Sequence, residues 1–353
     1  MSGIRNLERG LPCLMPSSAI ANVAVDMTRC VQGTPQGAFT GRSAVSDTTT
    51  VSDGTVETTP EGDAASLPAQ PSQTPLFHAI ESARYARQGQ IRDIERVTER
   101  RLIAYVAGPG TSITGIDVPP FVDLLDDVES GKPVDLLLHT PGGDVDQAER
   151  IVLLCRKRVG DAEFRVIVPD SAKSAGTLIA IAADEIVMGD PSELGPIDPQ
   201  IFITTASGED MARPAQSFLD GLKQIREDTG DGDLSPAYFP LLDKLDPALI
   251  DFCEKAIKRS KKFAQDFLER YMLKDDPAKA AEIADDLANV EKYLSHSATI
   301  DAVRADELGL NVKILGHEDE LWQAYWRLYV QMRVALPGPG TKLFEGRKAS
   351  LII

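Results

Sequence analysis

Two stretches of unbroken apolar residues, each closed by a turn of small residues, constrain this chain more than any other feature. DLLLH at 135–139 runs into TPGGD, and FRVIV at 164–168 runs into PDSAKSAGT. A strand with one wetted face alternates polar and apolar residues. A strand apolar at every position is covered on both faces, as in a parallel sheet packed between helices. The neighbouring patterns agree. RLIAYVAG (101–108) and DEIVMG (184–189) read as strands, and VDQAERIVLLCRKRV (145–159) and SAGTLIAIAA (174–183) as helices. VPPFVDLLDDVES (118–130) is a further helix, with its prolines early, where they are tolerated. Strands alternating with helices in this way predict an α/β layer with largely parallel strands.

The flanks differ from this centre. Residues 1–75 are rich in Ser, Thr, Gly, Pro and Ala and have no sustained period, as in SDTTTVSDGTVETTP. Such a segment buries too little apolar area to offset its chain entropy, so it is expected to be a disordered, low-complexity N-terminal segment. LFHAIESARYARQGQIRDIERVTER (76–100) predicts one charged helix. Beyond Pro214 the chain turns mostly helical. ALIDFCEKAIKRSKKFAQDFLERYML sets Ile250, Cys253, Ile257, Phe263 and Phe267 along one stripe, and its basic KRSKK run is read as a solvated face. ATIDAVRADELGLNVKIL predicts a helix, a glycine stop and an edge strand. ELWQAYWRLYVQMRV is a last helix whose two tryptophans share a side, and PGPGTKLFEGRKASLII is expected to be a loose tail. The domain at 76–315 is therefore followed by an aromatic helix and tail at 316–353.

Charge and composition exclude several functions. With a net charge of −17 the chain lacks the basic surface that nucleic-acid binding requires, and binding to anionic membranes is equally disfavoured. No apolar run is long enough to span a bilayer, and the broken apolar patch PCLMPSSAIANVAV argues against a secretory signal. The four cysteines (13, 30, 155, 253) share no C-x-x-C spacing, and Cys155 and Cys253, within helical apolar patterns, are read as buried free thiols of a reducing, cytoplasmic compartment. The four histidines (78, 139, 296, 317) have no metal-ligand spacing, so neither a metal nor any other cofactor is expected. A G-x-x-x-x-G-K phosphate loop is absent.

The chemistry concentrates in the two turns, HTPGGDVDQA and PDSAKSAGT. In an open parallel sheet both lie at carboxyl ends of strands, where ligand sites form. Acyl transfer needs a nucleophile beside backbone N–H donors aimed at the developing oxyanion. Ser174 would be the nucleophile, with Gly142, Gly143 and the helix-start amide of Ala175 as donors. Read locally, the same residues also fit a Pro-Gly-Gly turn and a serine helix cap.

The blocks DLLLHTPGGDVDQAERI and VIVPDSAKSAGTLIAIAADEIVMGDPSELGPIDPQI resemble the serine dehydrogenase proteinase family. That family stands with signal peptide peptidase A and the Clp protease proteolytic subunit in the Clp-protease/crotonase fold. The resemblance extends from about residue 76 to 315. It implies a spiral of ββα units with a helical extension that supports a homo-oligomer. It also implies a serine peptidase acting on protein or peptide substrates, with Ser174 as nucleophile and the HTPGG loop as oxyanion hole. The base stays open. In the Clp subunit a histidine occupies the loop matching SELGPIDPQ, which here holds Asp198. The acid's place matches SHSATIDAVRADELGL, which here holds His296. The two roles are then exchanged, since a triad is defined by geometry and not by chain order. Signal peptide peptidase A uses a lysine instead, for which Lys223 is the candidate, followed by Lys173. His139, ending its strand beside the glycine loop, is expected to orient rather than to transfer protons. An acyl-CoA enzyme of crotonase type and a non-catalytic scaffold are the competing functions.

Overall fold

The computed structural model describes residues 74–204, 208, 210–230, 232, 234–243 and 246–353. The chain divides into two units, Met1–Ala69 and Gln70–Ile353, and everything described below belongs to the second. The expectation for residues 1–75 lies, but for Thr74 and Pro75, outside the described residues.

The chain runs through α1 (Pro75–Ile80), α2 (Ser82–Thr98), β1 (Arg101–Ala107), α3 (Val118–Asp126), β2 (Val134–His139), α4 (Val145–Val159), β3 (Phe164–Val168), β4 (Ser171–Ala172) and α5 (Ala175–Ile181). It continues through β5 (Glu185–Met188), β6 (Glu193–Leu194), β7 (Gln200–Thr204), β8 (Asp210–Pro214), α6 (Ala215–Thr229), α7 (Phe239–Leu242), α8 (Pro247–Arg270), α9 (Pro277–Leu287) and α10 (Val290–Tyr293). It ends with β9 (Ile300–Asp301), α11 (Ala302–Leu308), β10 (Val312–Ile314), α12 (Glu320–Ala335), β11 (Lys342–Glu345) and β12 (Ser350–Ile352).

The main sheet has seven strands in the order β10-β5-β3-β2-β1-β11-β12. The first five are mutually parallel; β11 runs antiparallel to β1, and β12 antiparallel to β11. This is the mixed α/β architecture that the apolar runs predicted, and β2 shows why they are unbroken. Leu136 and Leu138 face a core built with α3, α4, α5, α8 and α9, which contribute Phe121, Ile151, Ile179, Phe263 and Ile283. Leu137, between them, faces a second core with Ile91 and Ile94 of α2 and Trp322, Tyr325 and Leu328 of α12. Strand β10 is the edge strand expected after the glycine stop at Gly309. A small sheet, β4-β6-β9, and a ribbon, β7-β8, complete the strands.

Three expectations change. The charged helix at 76–100 is two helices, interrupted at Glu81. Only α2 buries a face (Arg87, Gln88, Ile91, Ile94), and α1 buries none of its residues, so packing continues one helix and not the other. The two tryptophans of α12 share a side, but only Trp322 enters the core; Trp326 is 38% exposed.

The tail is not loose: β11 sits inside the main sheet, and residues 316–353 complete the domain rather than follow it. Phe344 is fully buried and stacks on Tyr105, with ring centroids 4.7 Å apart. The charges that disguise this strand are neutralised in place, Lys342 by Asp117 at 2.6 Å and Glu345 by Arg87 at 2.6 Å. The basic KRSKK run of α8 is paired too, with Lys258 on Glu254, Arg259 on Asp146 and Glu149, Lys261 on Asp285 and Lys262 on Asp266.

Candidate active site

The turn that carries Ser174 follows β3. Thr140, just past β2, pairs with the short strand β4: its N–H donates to the Ser171 carbonyl and its carbonyl accepts from Lys173 N–H, both at 3.0 Å. Ser174 then takes φ 51° and ψ −115° as the residue before α5. A non-glycine residue with positive φ is uncommon, and this ψ lies outside the left-handed helical well as well. The serine does not act as a cap, because its hydroxyl accepts no hydrogen bond from α5. Among the described residues that hydroxyl has no hydrogen-bond partner, and at the first position of α5 the Ala175 N–H has no intrahelical acceptor. Thr177 braces the turn: its Oγ1, 2.8 and 2.9 Å from the Ala172 and Gly195 carbonyls, has one hydrogen to donate between them and accepts from Gly195 N–H at 3.0 Å.

The glycine loop comes from the neighbouring strand β2. The Gly142 carbonyl accepts from Ile113 N–H at 2.7 Å, and the Asp144 N–H donates to the Ile113 carbonyl at 2.9 Å. Both glycines are required. Gly142 has φ 103°, and a β-carbon there would stand 2.6 Å from the Lys173 carbonyl oxygen, 2.8 Å from Ser174 Cβ and 3.2 Å from Ala175 N. Gly143 has φ 147°, and a β-carbon would stand 2.3 Å from Ile113 N. The two turns therefore touch, backbone against backbone. The Gly142 N–H is already used, donating to Thr140 Oγ1 at 3.2 Å. The Gly143 N–H has no acceptor among the described residues, so it and Ala175 are the free donors beside Ser174. Gly142, expected as a donor, instead supplies the space.

His296 and Asp198 meet as the exchanged-role reading requires: Nδ1 and Oδ1 are 2.9 Å apart. Asp198 is only 3% exposed, and its other oxygen accepts from Gln200 Nε2 at 2.9 Å. An imidazole whose Nδ1 donates to this carboxylate turns Nε2 away from Asp198.

The two lysines have different surroundings. The Lys223 side chain is 70% exposed on α6 and faces Glu227 at 3.8 Å. Lys173 is ion-paired to Glu193 at 2.8 Å and donates to the carbonyls of Leu194 and Ala298 at 3.0 and 3.2 Å. Its three donors are all engaged. Glu193 and the residues at 298 and 299 carry no spacing signal, because they approach Lys173 only through β6 and β9.

His139 lies behind the glycine loop. Its Nδ1 accepts from the Ser171 N–H at 3.3 Å, its ring packs against Tyr329 with centroids 5.1 Å apart, and Asp170 is 3.7 Å away. Burial pushes its pKa down to about 4, against the pull of Asp170, so the ring is neutral and accepts from the backbone. Among the described residues no cluster of three or more His, Cys, Asp or Glu could hold a metal ion. No helix among them is long and apolar enough to cross a membrane.

A family model described as ClpP-like SDH-type serine proteinase matches residues 78–331. Uncharacterized protein MJ1495 of Methanocaldococcus jannaschii is 32% identical over 232 residues, 63% of this chain and 70% of its own length. Uncharacterized protein MJ0137 of the same organism is 35% identical over 209 residues, 56% of this chain and 63% of its own length. Among solved structures, a mutant of the 1510-N membrane-bound stomatin-specific protease aligns with a TM-score of 0.37 and 18% identity, covering 64% of this chain and 84% of that one. A ClpP1 mutant from Listeria monocytogenes aligns with a TM-score of 0.33 and 13% identity, covering 64% and 98%.

Proposed function

Because this chain belongs to the ClpP-like SDH-type serine proteinase family, we propose that it hydrolyses peptide bonds through an acyl-enzyme on Ser174. His296 Nε2 takes the hydroxyl proton as Oγ attacks the scissile carbonyl carbon. Asp198 keeps the imidazole in the tautomer that leaves Nε2 unprotonated and stabilises the imidazolium once formed. The carbonyl oxygen becomes an oxyanion, which the Gly143 and Ala175 N–H groups receive. Collapse breaks the C–N bond as His296 returns its proton to the leaving amine. Water, deprotonated by the same imidazole, then attacks the ester and releases Ser174. The Ser174 hydroxyl and His296 share no hydrogen bond in the free enzyme; contacts of this kind tighten on substrate binding.

The observation that carries the reading is the contact of the two turns, with Ser174 Cβ and Ala175 N against Gly142. It supports the reading of Ser174 as nucleophile with the nearby Gly143 and Ala175 amides as oxyanion donors. The resemblance also implies a homo-oligomer, and the exposed Phe202, Phe239, Leu241 and Phe252 of the ribbon and helical extension are the apolar side chains such an assembly would cover.

A fluorophosphonate probe tests the catalytic reading, with the adduct located by mass spectrometry. Labelling is expected at Ser174, lost in Ser174→Ala, reduced to a residual rate in His296→Ala and retained in Lys223→Ala. An unlabelled wild-type chain, or an adduct at another serine, refutes it.

A further inference from the structure

Lys173, beside the nucleophile, does work that neither the triad nor the oxyanion hole accounts for. Its ammonium has three hydrogens, and three oxygens surround it: the Glu193 carboxylate at 2.8 Å, the Leu194 carbonyl at 3.0 Å and the Ala298 carbonyl at 3.2 Å. The side chain is largely buried, at 14% exposure. Its stem crosses Gly195 so closely that a β-carbon there would stand 2.8 Å from Lys173 Cδ. The same Glu193 carboxylate accepts from Thr299 Oγ1 at 2.6 Å. Ala298 and Thr299 lie just after His296, on the segment between α10 and β9. Within it, Ala298 N–H donates to the Ser295 carbonyl at 3.1 Å and Ser297 N–H to Ser295 Oγ at 3.2 Å, both local bonds. Beyond the β4-β6-β9 ladder that anchors the residues after it and the His296–Asp198 pair, the side-chain ties from this segment toward the turn that carries Ser174 are Lys173 itself and the Glu193–Thr299 pair.

From this geometry we infer that Lys173 is a positioning residue for the base: its ammonium, through the Ala298 carbonyl and the Glu193–Thr299 bond, fixes the His296 segment against the turn that presents Ser174. The inference rests on the serine-peptidase reading with His296 as base. Removing Lys173 frees the segment and misplaces the imidazole, and displacements of about 1 Å cost roughly a hundredfold in rate.

The test is the rate at which the fluorophosphonate probe modifies Ser174 in Lys173→Met, Thr299→Val, the double variant and each combined with His296→Ala. Lys173→Met is expected to slow modification roughly ten- to a hundredfold, and Thr299→Val several-fold. The double variant should be no slower than Lys173→Met, since both cut one connection. Against His296→Ala, Lys173→Met should leave the residual rate unchanged, because a residue acting through the imidazole has no effect once it is gone. Thr299→Val keeps the ammonium and perturbs the fold least, so it carries the test if Lys173→Met does not fold. A wild-type rate in Thr299→Val overturns the inference. So does a slowing by Lys173→Met that persists in full without His296, or a double variant slowed by the product of its parts. A wild-type chain that takes no label defeats the peptidase reading instead.

Discussion

Replacing Ser174 with glycine should stabilise the protein while destroying its reactivity. The serine backbone sits at φ 51° and ψ −115°, where a β-carbon is sterically opposed, and a residue held in such a region costs about 1–3 kcal/mol. Glycine removes the clash but loses more chain entropy on folding, about 0.5–1 kcal/mol. No hydrogen bond is lost, since the hydroxyl has no partner among the described residues. The net gain is about 1 kcal/mol, within a range of roughly 0–2.5, or about 2–4 °C in thermal midpoint for a domain of this size. Alanine keeps the β-carbon and hence the strain, so Ser174→Ala should match the wild type within about 0.5 kcal/mol. Both variants lose probe labelling. The assay is thermal or urea unfolding of the three proteins at one concentration, so that any oligomer contributes equally. If Ser174→Gly is no more stable than Ser174→Ala, the turn is unstrained and the argument from backbone conformation fails.

Gly142→Ala should cut labelling of Ser174 about a hundredfold or more, because its β-carbon would stand 2.6 Å from the Lys173 carbonyl oxygen. Gly110→Ala, also at positive φ (73°) but with no atom within 4 Å of its β-carbon, should cost about 1 kcal/mol and leave labelling intact; equal effects on labelling would deny the close approach of the two turns. His139, held neutral by burial with its pKa near 4 against an ordinary 6.5, contributes a stability that is complete above pH 6.5 and is lost as pH falls toward 4, by about 3 kcal/mol at most. Urea titrations across that window should be flatter for His139→Gln, and an unchanged slope would contradict the burial argument. Phe344→Ala, which empties a site stacked on Tyr105 and edge-on to Phe121, should destabilise by about 3–5 kcal/mol, and a loss under about 1 kcal/mol would mean that the C-terminal strand is dispensable.

Whatever depends on short-range pattern was legible before the structure. The unbroken run around Leu136–Leu138 demands two covered faces, and the sheet provides two cores, one on each side. The helix 145–159 was readable to its last residue, because Asp144 caps its start and Gly160 ends it. The double glycine and the small residues around Ser174 marked a cramped turn at a strand end. Lys342 and Glu345 hid β11, since charges in a short segment read as solvent-facing until Asp117 and Arg87 arrive to pair them. In the same way, the choice among His296, Lys223 and Lys173 could not be made along the chain. What differs among them arises only when distant segments pack: His296 meets the buried Asp198 carboxylate, Lys223 stays exposed, and Lys173 is tied to carbonyls. Pattern determined the layers and the two turns; burial and charge pairing, which exist only in three dimensions, decided how each polar side chain is used.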